Sequence, residues 1–138
     1  MTISSLVHLA ESIATEAHSG QFRRNGTTAY IEHPRSVVSR VGEDPEAQVV
    51  AWLHDVIEDT EQTEESLLAA GIPAHLVEAV SLVTKTQGFA YDKYLGAIAA
   101  SPLASKVKIA DMLANLAEHP SQKQIRKYAK GLLTLVKK

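Results

Sequence analysis

The five prolines of this 138-residue chain all fall where a helix would begin or end, and they cut it into pieces of helical length. Proline fixes its own φ and lacks an N–H, so it suits the first turn of a helix, disrupts later turns, and pushes the preceding residue out of the α region. Pro34 fits the first turn of a helix over roughly 34–42. Pro45 follows a cap at Asp44, and Pro73 opens a helix running to about Val83. Pro102 follows Ser101, while Pro120 breaks the pattern after His119. Between these marks the apolar residues recur at helical spacing. Ile3, Leu6, Val7, Ala10, Ile13, Ala14 and Ala17 define a first helix, with Ser4 or Ser5 available as cap and Gly20 as stop.

The remaining boundaries follow from the same chemistry. Residues 20–32 hold two glycines and an Asn-Gly step and read as a loop. The helix opened at Pro45 is expected to reach about Glu58. Thr63 caps a short helix ending before Gly71, and residues 85–88 form a turn. Helices over 91–100 and 102–118 follow, and a last one runs from about Ser121 to Leu135, closing on Lys137 and Lys138, whose charges suit a helix C-terminus. No segment alternates as a strand would, and nothing repeats. The expectation is an all-α chain, one compact bundle of seven or eight helices in a single domain over 1–138, long enough to bury a core unaided.

The absence of cysteine removes disulfides, thiolate zinc sites and cysteine nucleophiles together. Fourteen basic residues against 16 acidic ones give a formal charge of -2, which provides no overall field for nucleic acid. The first residues, MTISSLVHLAESIATEAHSG, lack a basic leader region and are interrupted by Glu11 and Glu16, so neither a signal peptide nor a membrane span is expected. A cytoplasmic protein without membrane or nucleic-acid partners is the resulting expectation.

The chemistry concentrates in His54-Asp55-Val56-Ile57-Glu58-Asp59-Thr60, which follows the apolar run Val49-Val50-Ala51-Trp52-Leu53. If helical, the segment stacks His54 with Glu58 and Asp55 with Asp59, one turn apart. Such groups beside a buried stretch need a cationic partner. His33, at the entrance of the second helix, and Asp111, in VKIADMLANL, extend the group to two imidazoles and two carboxylates. That ligand set suits Mn²⁺, with Mg²⁺, Fe²⁺ and Zn²⁺ as alternatives. Asn115 stands one turn after Asp111. Arg23 and Arg24 lie on the glycine-flanked loop, offering donors for phosphate and a flat cation for stacking. His8, His75 and His119 read as ordinary surface or structural histidines, His18 as a supporting or capping residue, and Trp52 as core. The basic amphipathic segment IRKYAKGLLTLVKK reads as packing against the bundle, with Arg126 or Tyr128 reaching the mouth of the site.

HDVIEDT, together with AHSGQFRRNGTTAYIEHP upstream and KIADMLANL downstream, resembles the HD-domain hydrolases of the RelA/SpoT type, especially the small stand-alone alarmone hydrolases, over residues 10–118. The resemblance implies that His33, His54, Asp55 and Asp111 hold Mn²⁺, and that Glu58 and Asp59 are the catalytic acidic pair. It places Arg23, Arg24, Tyr30, Lys85 and Asn115 against a guanine nucleotide. The implied reaction removes the 3′-pyrophosphate of guanosine tetra- or pentaphosphate (ppGpp or pppGpp), yielding GDP or GTP and pyrophosphate. With no synthetase-like segment following, it implies a hydrolase-only protein. The chain departs from the family where Met112 and Ala114 replace arginine and histidine, which bears on substrate contacts. Three alternatives stay open: hydrolysis of another phosphorylated nucleotide such as NADPH, a non-catalytic nucleotide sensor, and a helical interaction module without metal. The oligomeric state is open between monomer and dimer.

Overall fold

The computed structural model describes residues 2–86 and 88–136. It consists of α1 (Ile3–Ala17), α2 (Glu32–Val41), α3 (Pro45–Leu53), α4 (Val56–Asp59), α5 (Glu64–Ala70), α6 (Ala74–Val83), α7 (Tyr91–Ala99), α8 (Pro102–Leu116) and α9 (Gln122–Leu135). Setting aside α4, a single turn, eight helices remain. Among the described residues the one extended pairing is an isolated antiparallel bridge between Phe22 and Ala29, which closes the loop between α1 and α2. Lys137 and Lys138, expected to end the last helix, lie outside the described residues, as does Gln87 in the turn after α6.

The caps explain most boundaries. Asp44 accepts from the Ala47 amide at 3.3 Å, and Ser101 accepts from Ala104 at 3.1 Å, each just before a proline in the first turn. Thr63 and Ser121 form reciprocal capping boxes with Ser66 and Gln124. Thr2, rather than Ser4 or Ser5, caps α1, accepting from Ser5 N at 3.1 Å. Helix α2 starts two residues before Pro34, which occupies its first turn.

Helix α3 is the centre of the molecule. Ala47, Val49, Val50, Ala51, Trp52 and Leu53 are all buried, so the helix is apolar on every side and must be surrounded. α1, α2, α6 and α8 pack around it. Each large side chain buried here stabilises the fold by roughly 1.5–3 kcal/mol relative to exposure. A second cluster joins α7, α8 and α9 through Tyr94, Leu95, Ile98, Met112 and Leu135. Helix α9 therefore packs against the bundle, as its amphipathic pattern implies. No helix among the described residues is long and apolar enough to cross a membrane.

Candidate active site

The expected continuous helix to Glu58 is interrupted at His54-Asp55, and the interruption builds the site. His54 Nδ1 donates to the Ala51 carbonyl at 2.7 Å, occupying the oxygen that the next turn of a regular α-helix would bond to the Asp55 amide. The chain then resumes as α4, with Asp59 N still bonded to Asp55 O at 3.0 Å. Glu58 and Asp59 thus belong to a separate turn rather than to the negative end of a long helix.

Because Nδ1 of His54 carries the proton, its Nε2 presents a lone pair in the neutral ring. That atom is buried and makes no hydrogen bond of acceptable geometry, although Asp55 Oδ2 lies 3.0 Å and Asp111 Oδ1 3.4 Å away. His33 Nε2 donates to Asp111 Oδ1 at 2.8 Å, and its buried Nδ1 has no partner. One ligand atom from each of His33, His54 and Asp111 falls within 4.8 Å of the others, and Asp55 Oδ2 is 3.8 Å from His33 Nε2. The orphaned Nε2 of His54 facing two carboxylates, with His33 Nε2 beside them and no sulfur, fits a hard or borderline divalent cation. Burial alone would lower the basicity of the His54 ring, but Asp55 and Asp111 outweigh it and hold the ring well above its ordinary value. Burial likewise opposes ionisation of Asp111, yet the Lys108 ammonium and His54 keep its carboxyl well below the usual range.

The acidic pair is held from two sides. Glu58 Oε1 accepts from the backbone N–H of Lys85 at 2.8 Å. Tyr30 donates its hydroxyl to Asp55 Oδ2 at 2.6 Å and stands 3.3 Å from Asp59 Oδ2, while Gln21 Nε2 donates to the Asp59 carbonyl at 2.9 Å. His18 caps α1, bonds Gln21 Oε1 at 2.8 Å and stacks on Tyr30 at 4.7 Å, so it supports the acidic pair from behind. Partial burial raises the carboxyls of both Glu58 and Asp59, and the charge of Asp55 pushes each further up.

A cleft of about 250 Å³ collects Arg23, Tyr30, His33, Asp55, Glu58, Asp59, Lys85, Asp111 and Asn115. Arg23 stacks over Tyr30, 5.4 Å from the ring centre, donates to Glu118 Oε2 at 2.9 Å and lies 3.3 Å from Asn115 Oδ1. Arg24 does not line this cleft. It is exposed and borders a neighbouring depression of about 520 Å³, which Arg23 also lines, with Asn25, Thr28, Glu32, Glu118 and His119.

Lys108, Tyr91, Tyr94 and Lys127 also line the cleft and were not anticipated; Tyr128 does so as expected, and Arg126 does not. Lys108 was legible in principle, since it precedes Asp111 by one helical turn and bonds its Oδ2 at 2.9 Å. Tyr91 and Lys127 arrive from α7 and α9, and only the packing of those helices brings them in.

No protein-family model matches the chain. It is similar to a probable GTP pyrophosphokinase of Mycobacterium leprae, at 34% identity over 137 residues, covering 89% of this chain and 17% of that protein. A guanosine-3′,5′-bis(diphosphate) 3′-pyrophosphohydrolase of Aquifex aeolicus is 33% identical over 120 residues, 80% of this chain and 17% of the relative. The chain thus spans under a fifth of the length of these curated relatives. A solved structure described as a metazoan ortholog of SpoT that hydrolyses ppGpp superposes with a TM-score of 0.78, at 23% identity, over 95% of this chain and 83% of that one. The chain is a domain of the RelA/SpoT type.

The two departures from the RelA/SpoT-type pattern fall away from the cleft. Met112 and Ala114 are both fully buried, Met112 in the α7–α9 cluster and Ala114 in the core around α3. Met112 lies against Gly131 of α9, where a Cβ would come within 2.6 Å of its terminal methyl. The apolar replacement at Met112 is therefore part of how α9 seats on α8, and the expected effect on substrate contacts has no direct structural route.

Proposed function

We propose that this domain is a divalent-metal-dependent hydrolase, acting in the cytoplasm, that removes the 3′-pyrophosphate of guanosine 3′,5′-bis(diphosphate) or its pentaphosphate, with Mn²⁺ as the metal. The observation that carries this is the convergence of His33, His54 and Asp111 at one buried point, with His54 locked in the tautomer that turns Nε2 inward. Asp55, fixed by Tyr30, completes the ligand set.

Bound there, the cation supplies charge neutralisation and Lewis acidity toward a phosphoryl oxygen. The chain's own residues do the rest. Water adds to the phosphorus attached to the 3′-oxygen, that P–O bond breaks, and the proton released by the water is balanced by one delivered to the 3′-oxygen. The products are GDP or GTP and pyrophosphate. Glu58 accepts the proton of the water; its burial keeps the carboxyl more basic than an ordinary glutamate, and the Lys85 N–H fixes its direction. Asp59, steadied by Tyr30 and Gln21, orients the water beside it. Arg23 offers its flat guanidinium to the base or phosphate, Asn115 and Tyr30 border the nucleotide, Lys85 meets its phosphates, and Arg24 approaches from the adjoining depression. Lys108 neutralises Asp111.

The sensor alternative drew on Met112 and Ala114, and their burial in the core removes that support. A panel of guanosine tetraphosphate, pentaphosphate and NADPH, incubated with metal-stripped and Mn²⁺-loaded protein, tests the proposal. Pyrophosphate release from the guanosine nucleotides with Mn²⁺ is expected. Exclusive release of phosphate from NADPH, or no turnover with any divalent metal, contradicts it.

A further inference from the structure

The cleft carries charges of both signs. Asp55, Glu58, Asp59 and Asp111 line it together with Arg23, Lys85, Lys108 and Lys127, and Tyr91, Tyr94 and Tyr128 stand beside the three lysines. Lys108 is accounted for by its ion pair with Asp111 at 2.9 Å. Lys85 and Lys127 form no salt bridge among the described residues. Both ammonium groups instead lie over one ring, 5.5 Å and 5.0 Å from the centre of Tyr91, and Lys127 also stands 5.6 Å from Tyr128. Two like charges on one aromatic ring repel each other, and the attraction of a ring for a cation offsets this only in part. Partial burial and the charges of Lys85 and Lys108 accordingly make Lys127 a weaker base than an ordinary lysine. An anion bearing two or more charges would relieve the crowding.

The position of the pair matters as much as its charge. The backbone of Lys85 is tied to the acidic residues through its own N–H, which bonds Glu58 Oε1 at 2.8 Å, so Lys85 keeps a fixed relation to the reacting carboxylate. We infer that Lys127, with Lys85 on the shared ring of Tyr91, forms an anion subsite that receives a second phosphate-bearing arm of the substrate, and that Lys127 sets the preference for nucleotides phosphorylated at two positions. This assignment rests on the hydrolase reading above. It adds a division of labour: the scissile arm goes to the acidic residues and the non-reacting arm to Lys85 and Lys127.

Lys127 is the residue to vary, because it is exposed on α9 and its truncation removes no core contact. The measurement is the ratio of kcat/KM for guanosine 3′,5′-bis(diphosphate) to that for guanosine 3′-diphosphate, on Mn²⁺-loaded protein at low ionic strength. Lys127→Met is expected to lower this ratio about tenfold, and Lys127→Arg to restore it. Equal losses on both substrates, or no change, would overturn the subsite. If the wild-type protein hydrolyses neither nucleotide, the hydrolase reading fails by itself, and the subsite is then judged by calorimetric affinity for GDP. A loss of about tenfold in Lys127→Met supports it; unchanged affinity, or no GDP binding by the wild type, contradicts it.

Discussion

His54 donates through Nδ1 to the carbonyl of Ala51 at 2.7 Å, and this one bond both ends α3 and fixes which ring nitrogen faces Asp55 and Asp111. The local backbone and the ligand geometry are consequently one feature. Shifting the register of α3 would move the nitrogen that faces the two carboxylates as well.

Tyr30 holds Asp55 through a 2.6 Å hydrogen bond and reaches Asp59 with the same oxygen. Burial, reinforced by Asp55, raises its phenol well above the ordinary range, so it remains a donor at every working pH. Partners of this kind orient metal ligands, and losing one typically costs about 10- to 100-fold in metal affinity or activity. Tyr30→Phe is expected to fall in that range in a Mn²⁺ titration, with the melting temperature little changed.

Glu58→Gln separates catalysis from metal binding. Loss of a proton acceptor is expected to lower kcat by about 10²- to 10⁴-fold, with metal content by elemental analysis unchanged. The variant should also be more stable at high pH. Burial raises the folded carboxyl above its unfolded value, so the stability this group confers is present at low pH and is lost as pH rises through the folded value. Glutamine carries no charge and avoids that loss. Thermal melts in chelator at pH 5 and pH 8 should show the variant gaining on the wild type at the higher pH only.

The acid limb of the pH profile follows from the same group. Because Glu58 must be ionised to accept a proton and burial pushes its carboxyl above the ordinary glutamate value, kcat/KM should begin to fall on acidification before an ordinary glutamate would titrate. The Asp59 charge contributes to that elevation, so Asp59→Asn should move the limb to lower pH.

Met112 and Gly131 form a size-matched pair between α8 and α9. Gly131→Ala gains up to about 1 kcal/mol of helix propensity but drives a Cβ to 2.6 Å from a fully buried methyl. Overpacking of this kind costs about 1–3 kcal/mol, so the single variant should be neutral to destabilised in urea. Combined with Met112→Ala it should be less harmful than the sum of the two, with a coupling of roughly 0.5–3 kcal/mol.

Much of this was legible in the sequence because its signals are local. Prolines and side-chain caps mark the helix starts at Pro45, Glu64, Pro102 and Gln122, and the apolar run 49–53 marks the buried helix. The motifs carrying His33, His54, Asp55 and Asp111 bring those four residues together once the fold is built. The break at His54 was not legible, because periodicity cannot show a side chain capturing the carbonyl three residues back. Nor could the loop sequence separate Arg23 from Arg24, since it is Arg23 that bonds Glu118, just past the end of α8 and far away in the chain. The meeting of Lys127 with Tyr91 depends on where α7 and α9 dock, a long-range matter that spacing does not encode.

The most direct test is pyrophosphate release from guanosine tetraphosphate by chelator-stripped protein reloaded with Mn²⁺, compared between the wild type and Asp111→Ala. The wild type should be inactive when stripped and recover on reloading, while Asp111→Ala should neither retain the ion nor turn over. Hydrolysis by the stripped wild type, or undiminished metal-dependent turnover in Asp111→Ala, would contradict a catalytic centre built on His33, His54 and Asp111.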